Sequence, residues 1–348
     1  MKKILFSIAL ILVVVVGIAG WIFLGSATGF SAAREYLYVP TGAATKEAVL
    51  DSLEKNKLVT NLTAFSFLAN RLGYWETIKP GRYEIKKGSS LVDIVRNLHN
   101  GKQAPVNLII TKLRTKEDFA RLAGNKFEFD AAQMLRFLNS ADSLKQFHAD
   151  TASAMWPVLP DTYTFLWNTT PSFVYERLYQ ESKKFWNKER IAKAARLNLS
   201  PEQAYTLASI VEEETNNNDE KDTIASVYLN RIKAGMYLGA DPTLKYALRD
   251  FSIKWIHGAM LDVVSPYNTY KNKGLPPGPI CTPSRRTIEE VLNAPATSYL
   301  YFVANSAFNG THLFSTNFQE HLAKARAFQL EDKRRREARQ QIDAANKK

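Results

Sequence analysis

The chain has 348 residues, 45% apolar and 23% charged, with a formal net charge of +12. That composition excludes a disordered chain, and the length allows an anchor and roughly two folded units. The lone cysteine, Cys281, excludes an intramolecular disulfide, and the basic balance suits an anionic partner such as wall polymer, lipid headgroups or nucleic acid.

After Met1-Lys2-Lys3, the stretch from Ile4 to Leu24 carries no charge, and none follows until Arg34. A helix of that length crosses the ~30 Å hydrocarbon core of a bilayer. The two lysines ahead of it keep the N-terminus in the cytoplasm and put the rest of the chain outside. Export in turn disfavours nucleic acid as the partner. A cleaved signal peptide is the alternative. Against it, the apolar run is long for such a peptide and ends in Trp21-Ile22-Phe23-Leu24, with Gly25-Ser26-Ala27 only a weak cleavage site.

Residues 25–35 read as a flexible tether of small residues. Tyr36 to Val39 reads as a strand, Thr45 as the cap of a helix carrying Leu50, Leu53 and Leu58, and Ala64 to Leu72 as a second helix. Pro80-Gly81 turns into a strand, Arg82 to Ile85. Ser90 caps a helix with Leu91, Ile94, Val95 and Leu98, which Gly101 ends. The pattern predicts a β-α-α-β-α unit over 36–103. A strand, Val106 to Ile110, and a helix, Thr115 to Leu122, follow; from Phe127 onward the pattern is mainly helical. The end, Asn317 to Lys348, reads as one exposed helix, with the basic run Lys333-Arg334-Arg335-Arg336 inside a tail over 327–348.

Ser200-Pro201-Glu202-Gln203 combines a cap, a proline at the first helical position and the glutamine of a capping box. The helix it starts runs to about Thr215 and ends in Glu212-Glu213-Glu214. A run of glutamates ordinarily marks a solvated face. At about 100° per residue, however, Glu214 stands four and seven residues from Ile210 and Leu207, within the apolar stripe. Glu212 and Glu213 then form a surface pair on its flanks. A carboxylate against an apolar wall, beside other negative charge and at a helix C-terminus, keeps its proton. A general acid for glycosidic cleavage near neutral pH needs that property.

Ala208 to Thr215 and Ala225 to Arg231 resemble blocks of the endolytic murein transglycosylases (MltG, or YceG-like proteins). So do Gly239-Ala240-Asp241-Pro242-Thr243, Tyr267-Asn268-Thr269-Tyr270 with Gly274 to Ile280, and Tyr299 to Val303 with His312 and Phe314. Trp156-Pro157 and Pro160-Asp161-Thr162 continue the similarity upstream. The resemblance implies an α+β fold. It comprises a transmembrane anchor over 1–24, a linker over 25–35, a LysM-like unit over 36–103, a mainly helical catalytic domain with short strands over 104–326, and the basic tail. It implies a membrane-held, extracytoplasmic lytic transglycosylase of the inner membrane, acting on the MurNAc-GlcNAc bond of nascent glycan strands near peptidoglycan synthases. The glutamate followed by threonine, Glu214, maps to the catalytic acid. It protonates the leaving oxygen, then helps the C6 hydroxyl of muramic acid close a 1,6-anhydro ring, so no second carboxylate is required. Where Glu213 stands, the family often has a basic residue.

The remaining candidates stay open between two roles. Asp241 is either an N-cap ahead of Pro242 or a second carboxylate, and Asp262 is a weaker partner. Arg231, on the apolar arc with Ile224, Val227 and Tyr228, makes either a buried ion pair or a substrate contact. Asn230 can hydrogen-bond a sugar or an acetamido group. Tyr267, Asn268 and Tyr270 form either a sugar-binding loop or a rigid corner. The chain has no H-E-x-x-H, no G-x-S-x-G and no Walker loop, so no metal and no cofactor are expected. Cys281 reads as a buried apolar residue. The competing functions are a muramidase-type hydrolase and a non-catalytic peptidoglycan-binding scaffold.

Overall fold

A computed structural model describes residues 2–345; Met1 of the expected anchor and residues 346–348 of the expected tail lie outside the described residues. The first element, α1 (Lys2–Leu24), carries no charge after Lys3 and has no fully buried residue. At 1.5 Å per residue, its 23 residues reach about 34 Å, enough to cross a bilayer.

β1 (Arg34–Val39), α2 (Lys46–Lys55), α3 (Leu62–Arg71), β2 (Gly81–Lys86) and α4 (Leu91–His99) follow in the expected β-α-α-β-α order. Thr45, Asn61 and Ser90 each cap the helix that follows, accepting from the backbone N–H three residues on. β1 and β2 pair antiparallel with Leu37 opposite Tyr83. Alternation along both strands sends Leu37, Val39, Tyr83 and Ile85 into one core, with Leu53, Phe65, Leu91 and Val95. By internal contacts, this first unit takes in the chain up to Leu108, Arg121–Met134 and Thr162–Val174.

Residues 25–33 are more than the expected tether. Ala27 is buried in the first unit's core, its N–H donates to the Ser89 carbonyl (3.0 Å), and its own carbonyl accepts from Thr60 N–H (2.9 Å). Small residues permit this close seating, whereas they had suggested slack. Gly29 lies so near Lys57 that a Cβ there would meet the Lys57 carbonyl at 2.7 Å.

Next come β3 (Val106–Ile110), α5 (Lys116–Gly124), α6 (Ala131–Leu138), α7 (Ala141–Lys145), β4 (Asp161–Phe165), α8 (Pro171–Phe185) and α9 (Lys188–Arg196). They are followed by α10 (Pro201–Glu214), α11 (Lys221–Lys233), α12 (Asp241–Leu248), α13 (Arg285–Leu292), β5 (Tyr301–Ala304), β6 (His312–Ser315) and α14 (Phe318–Ala345). The fold is a mixture of helices with small sheets: β3 pairs with β4, and β5 with β6 as an antiparallel hairpin.

The second unit (Ile109–Ala120, Leu135–Asp161 and Tyr175 onward) is built around α10, which packs against α9, α11, α12 and α13. Its capping box is complete, Ser200 and Gln203 each satisfying the other's backbone N–H. Every residue from Ala204 to Val211 is buried. The stripe read from Leu207, Ile210 and Val211 is therefore only part of a helix enclosed on all sides. The Pro-Gly turn after α12 docks on α10, with Ile280 N–H donating to Ser209 Oγ (3.0 Å).

Removing side chains from α10 should report its central place. Leu207→Ala is expected to destabilise the second unit by about 3 kcal/mol, and Ser200→Ala by about 1 kcal/mol. Both are measured as shifts of the unit's denaturation midpoint, with the slope unchanged.

Candidate active site

α10 ends with its three glutamates in three different surroundings. Glu212 accepts from Lys221 Nζ (3.0 Å) and Ser284 Oγ (3.2 Å) and also bonds Thr287 Oγ1. Glu213 pairs with Lys112 (3.1 Å) and Arg114 (3.1 Å). Their side chains are only 15% and 14% exposed, so the expected surface pair is a pair of half-buried ion-pair centres. The cause is tertiary: α11, α13 and the segment after β3 close over the helix end and bring cations that local periodicity does not contain. Glu213, where the resemblance implies a base, is thus neutralised by two.

Glu214 alone of the three forms no ion pair among the described residues. It lines a cavity of about 360 Å³ and is half-buried by area, because one side faces that opening. Its Oε1 accepts a hydrogen bond from the Tyr228 hydroxyl of α11. Burial pushes the Glu214 pKa up from 4.5 to about 7. Tyr228's hydrogen bond opposes that rise, nearby Asp241 adds to it, and Lys245 and Arg231 oppose it. The carbonyl end of α10 acts in the same direction as burial, since it disfavours negative charge.

Of the other expected site residues, the cavity brings together Arg231, Asp241 and Tyr270. Asp241 is not the N-cap: Ala240 holds that position, and Asp241 is the first helical residue of α12, accepting from the Tyr270 hydroxyl. Its carboxylate sits where the helix dipole favours it, and it holds Tyr270 protonated, whose pKa burial and this bond both raise. Among the described residues Arg231 forms no ion pair: Nε donates to the Leu300 carbonyl (2.6 Å) and Nη1 to that of Leu238 (2.5 Å). It thereby ties β5 and the turn after α11 to one wall, its guanidinium 5.2 Å from the Tyr301 ring centre. Gly239, at φ +59°, lets the backbone pass; a Cβ there would lie 3.4 Å from Arg231 Nη1 and 3.6 Å from the Tyr270 ring.

Asn230, Tyr267 and Asn268 do not line the cavity. Asn230 spends its amide hydrogens on the carbonyls of Thr297 and Tyr299, both at 2.9 Å. Asn268 is fully buried, donates to the carbonyls of Leu261 (3.0 Å) and Val263 (2.9 Å), and accepts from Tyr270 N–H (3.0 Å). Tyr267 packs on Tyr246, ring centres 4.6 Å apart. The loop is thus a rigid corner at Asn268 and a cavity wall at Tyr270. Asp262 is exposed and pairs with Lys271 (2.8 Å).

Residues not anticipated for the site complete it: Tyr228, Leu238, Gly239, Tyr301, Phe302, Phe318 and His321. Tyr228 shares with Arg231 the arc of α11 already read from the sequence, and that spacing was the signal for its place at the site. Phe318 and His321 had no such signal, because they open a helix that reads as solvated. His321 stacks on Tyr301 at 5.3 Å, and burial, Arg231 and Lys324 hold its pKa below the usual value. The result is one protonatable carboxyl, a carboxylate, a fixed cation and a wall of aromatic faces. Such walls suit the C–H faces of sugars. Among the described residues, no three His, Cys, Asp or Glu side chains converge as a metal site.

Residues 37–327 match the model of the YceG-like family. The chain belongs to that family. A relative from Bacillus subtilis (strain 168), named endolytic murein transglycosylase, is 29% identical over 301 residues, covering 81% of each chain. One of the same name from Streptococcus pneumoniae (serotype 2, strain D39) is 28% identical over 319 residues; the match covers 81% of this chain and 56% of the pneumococcal protein. The crystal structure of a YceG-like protein from Listeria monocytogenes superposes with a TM-score of 0.55 at 27% identity, covering 84% of this chain and 99% of that one.

For this YceG-like protein, the raised pKa of Glu214 sets a stability trend. Between pH 4.5 and about 7 the folded state holds a proton that the unfolded state has released, so stability falls as pH rises through that window. Glu214→Gln should raise the melting temperature at pH 8 and leave it unchanged below pH 4. Isotope-edited infrared or NMR titration should find the Glu214 pKa higher in Tyr228→Phe and lower in Asp241→Asn.

Proposed function

We propose that this YceG-like chain is a lytic transglycosylase that cleaves peptidoglycan glycan strands at the MurNAc-GlcNAc bond. The observation that carries this reading is Glu214: a carboxyl with a pKa of about 7, facing an open cavity and forming no ion pair among the described residues. The names of the relatives support the same reaction. The protonated carboxyl gives its proton to the glycosidic oxygen as the C1–O bond breaks, and positive charge builds on the muramic C1 and ring oxygen. The resulting carboxylate then takes the proton of the C6 hydroxyl, whose oxygen bonds to C1. The product is a 1,6-anhydro end, Glu214 is again protonated, and water is not consumed.

The neighbours have roles in this scheme. Tyr228 donates to Oε1, which leaves Oε2 as the oxygen that carries the proton, and the same bond stabilises the carboxylate after transfer. Asp241 raises the Glu214 pKa and stabilises positive charge on the sugar. Arg231, Tyr270 and the aromatic wall hold the sugar. Asn230, Tyr267 and Asn268 act on substrate indirectly, by fixing the loops around it.

The α1 helix is proposed as a single-pass anchor in the cytoplasmic membrane, with the N-terminus inside and the folded units outside. Lys2 and Lys3 ahead of an uncharged span support that orientation. Anchorage keeps the enzyme where strands are polymerised, so peptidoglycan synthases are its proposed neighbours. The β-α-α-β-α order of 36–103 supports a LysM-like unit.

Purified full-length protein incubated with glycan strands should release fragments with anhydro ends, read by mass spectrometry. Glu214→Gln should lower that rate by about 10²- to 10⁴-fold; an unchanged rate would overturn the assignment. A hydrolase is the second reading, favoured by the presence of Asp241 in the same cavity. Reducing ends in place of anhydro ends, lost in Asp241→Asn, would establish it.

A further inference from the structure

We propose that the first unit lies on the bilayer rather than hanging from the anchor, with the outer face of α3 seated among the headgroups of an anionic lipid surface. The inference rests on the reading of α1 as a membrane span.

From Ile4 to Val16 the side chains of α1 touch nothing in the protein that buries them. At the far end this changes. Ile22 and Phe23 pack against the first unit's core, Gly25 N–H closes a last turn on the Trp21 carbonyl (3.1 Å), and Ala27 is 3% exposed. Only Gly25 and Ser26 separate Leu24 from that buried residue. At roughly 3.5 Å per residue, they allow the unit only about 7 Å of separation from the end of the span.

The surface this brings to the bilayer edge belongs to α3. Phe67 is 55% exposed, and its ring centre lies 6.1 Å from that of Phe23. The ring is therefore within that distance of a residue in the last turn of the span. Leu72, just past the helix end, is also exposed. From Asn61 to Trp75 the chain has no acidic residue and one charge, Arg71, whose guanidinium lies 5.6 Å from the Phe67 ring centre. α2 carries Glu47, Asp51 and Glu54, of which Glu54 lines one surface hollow together with Lys46 and Phe67.

Cations complete the surface. The turns carrying Lys57 and Lys86-Lys87, all exposed, are held against the exit segment. The Lys57 carbonyl abuts Gly29, Lys87 N–H donates to Ala33 O (3.1 Å), and Gly88 N–H to Thr28 Oγ1 (2.9 Å). Lys57, Lys86 and Lys87 thus stand on turns beside the segment that leaves α1, Arg71 stands beside Phe67, and Trp21 is exposed in the last turn of α1. Aromatic rings and basic side chains are the residue types that partition to the interface, and anionic headgroups attract such cations.

Cys281 is buried, so a cysteine introduced elsewhere accepts a nitroxide label alone. Full-length protein in phosphatidylglycerol–phosphatidylethanolamine vesicles would carry the label at Val14→Cys, Phe67→Cys or Lys102→Cys, the last beyond the far end of α4. Relaxation by oxygen, which partitions into lipid, is compared with relaxation by an aqueous nickel chelate. The expected result is oxygen dominant at 14 and 67 and nickel dominant at 102. Replacing phosphatidylglycerol with phosphatidylcholine should shift 67 toward nickel. A label at 67 as open to nickel as that at 102, with 14 still in lipid, would overturn the docking and spare the anchor. Nickel dominance at 14 would overturn the anchor and the docking together. A label at 67 in lipid but indifferent to headgroup charge would overturn the anionic preference.

Discussion

The end of α10 presents the second unit with a problem that its other parts are arranged around. Three consecutive carboxylates stand at the C-terminus of a helix enclosed along most of its length. Leaving a charge there unpaired costs several kcal/mol, and the helix's own carbonyls make it worse. Each carboxylate meets a different solution. Lys221 and the hydroxyls of Ser284 and Thr287 take Glu212, and Lys112 and Arg114 take Glu213. Glu214 has one neutral donor, Tyr228, and the remaining cost is met by keeping its proton. The elements that contribute these partners, α11, α13 and the segment after β3, are thereby fixed around one helix end.

That division of labour connects packing to chemistry. The two paired glutamates hold the helix terminus in place, and the third is left able to exchange a proton near neutral pH. In the same cavity, Arg231 is bound to backbone carbonyls and forms no ion pair among the described residues. Asp241 raises the Glu214 pKa, while Tyr228, Arg231 and Lys245 lower it. Burial exceeds their combined effect. The value near 7 is the balance of several opposed terms, and it belongs to the arrangement of the unit more than to any single neighbour.

The first unit follows a different logic. Its two-stranded sheet and three capped helices enclose a small core to which the end of the apolar helix contributes Ile22 and Phe23. The small residues between helix and strand, which read as slack, are the means by which the chain passes close to Lys57 and Ser89. Small side chains in a sequence signal either freedom or tight contact, and only the opposing surface distinguishes the two.

What the sequence determined by itself was local: the apolar span, the caps at Thr45, Ser90 and Ser200, the strands around Leu37 and Tyr83, and the inward position of Glu214 with the family blocks around it. These follow from periodicity and from hydrogen bonds that close within a few residues. Tertiary structure decided the surroundings of each charge. Glu212 and Glu213 read as a solvated pair because their partners, Lys221, Lys112 and Arg114, come from other elements. Asn230 could be read as a hydrogen-bonding partner of a sugar and Asn268 as either a sugar contact or a corner; their amides are used by backbone carbonyls. Phe318 and His321 join the cavity from a helix whose composition signals only solvent. A side chain's type and its direction along a helix are properties of the local chain. Its dielectric surroundings and hydrogen-bond partners are properties of what folds against it, and those decide which of three adjacent carboxyls can act as an acid.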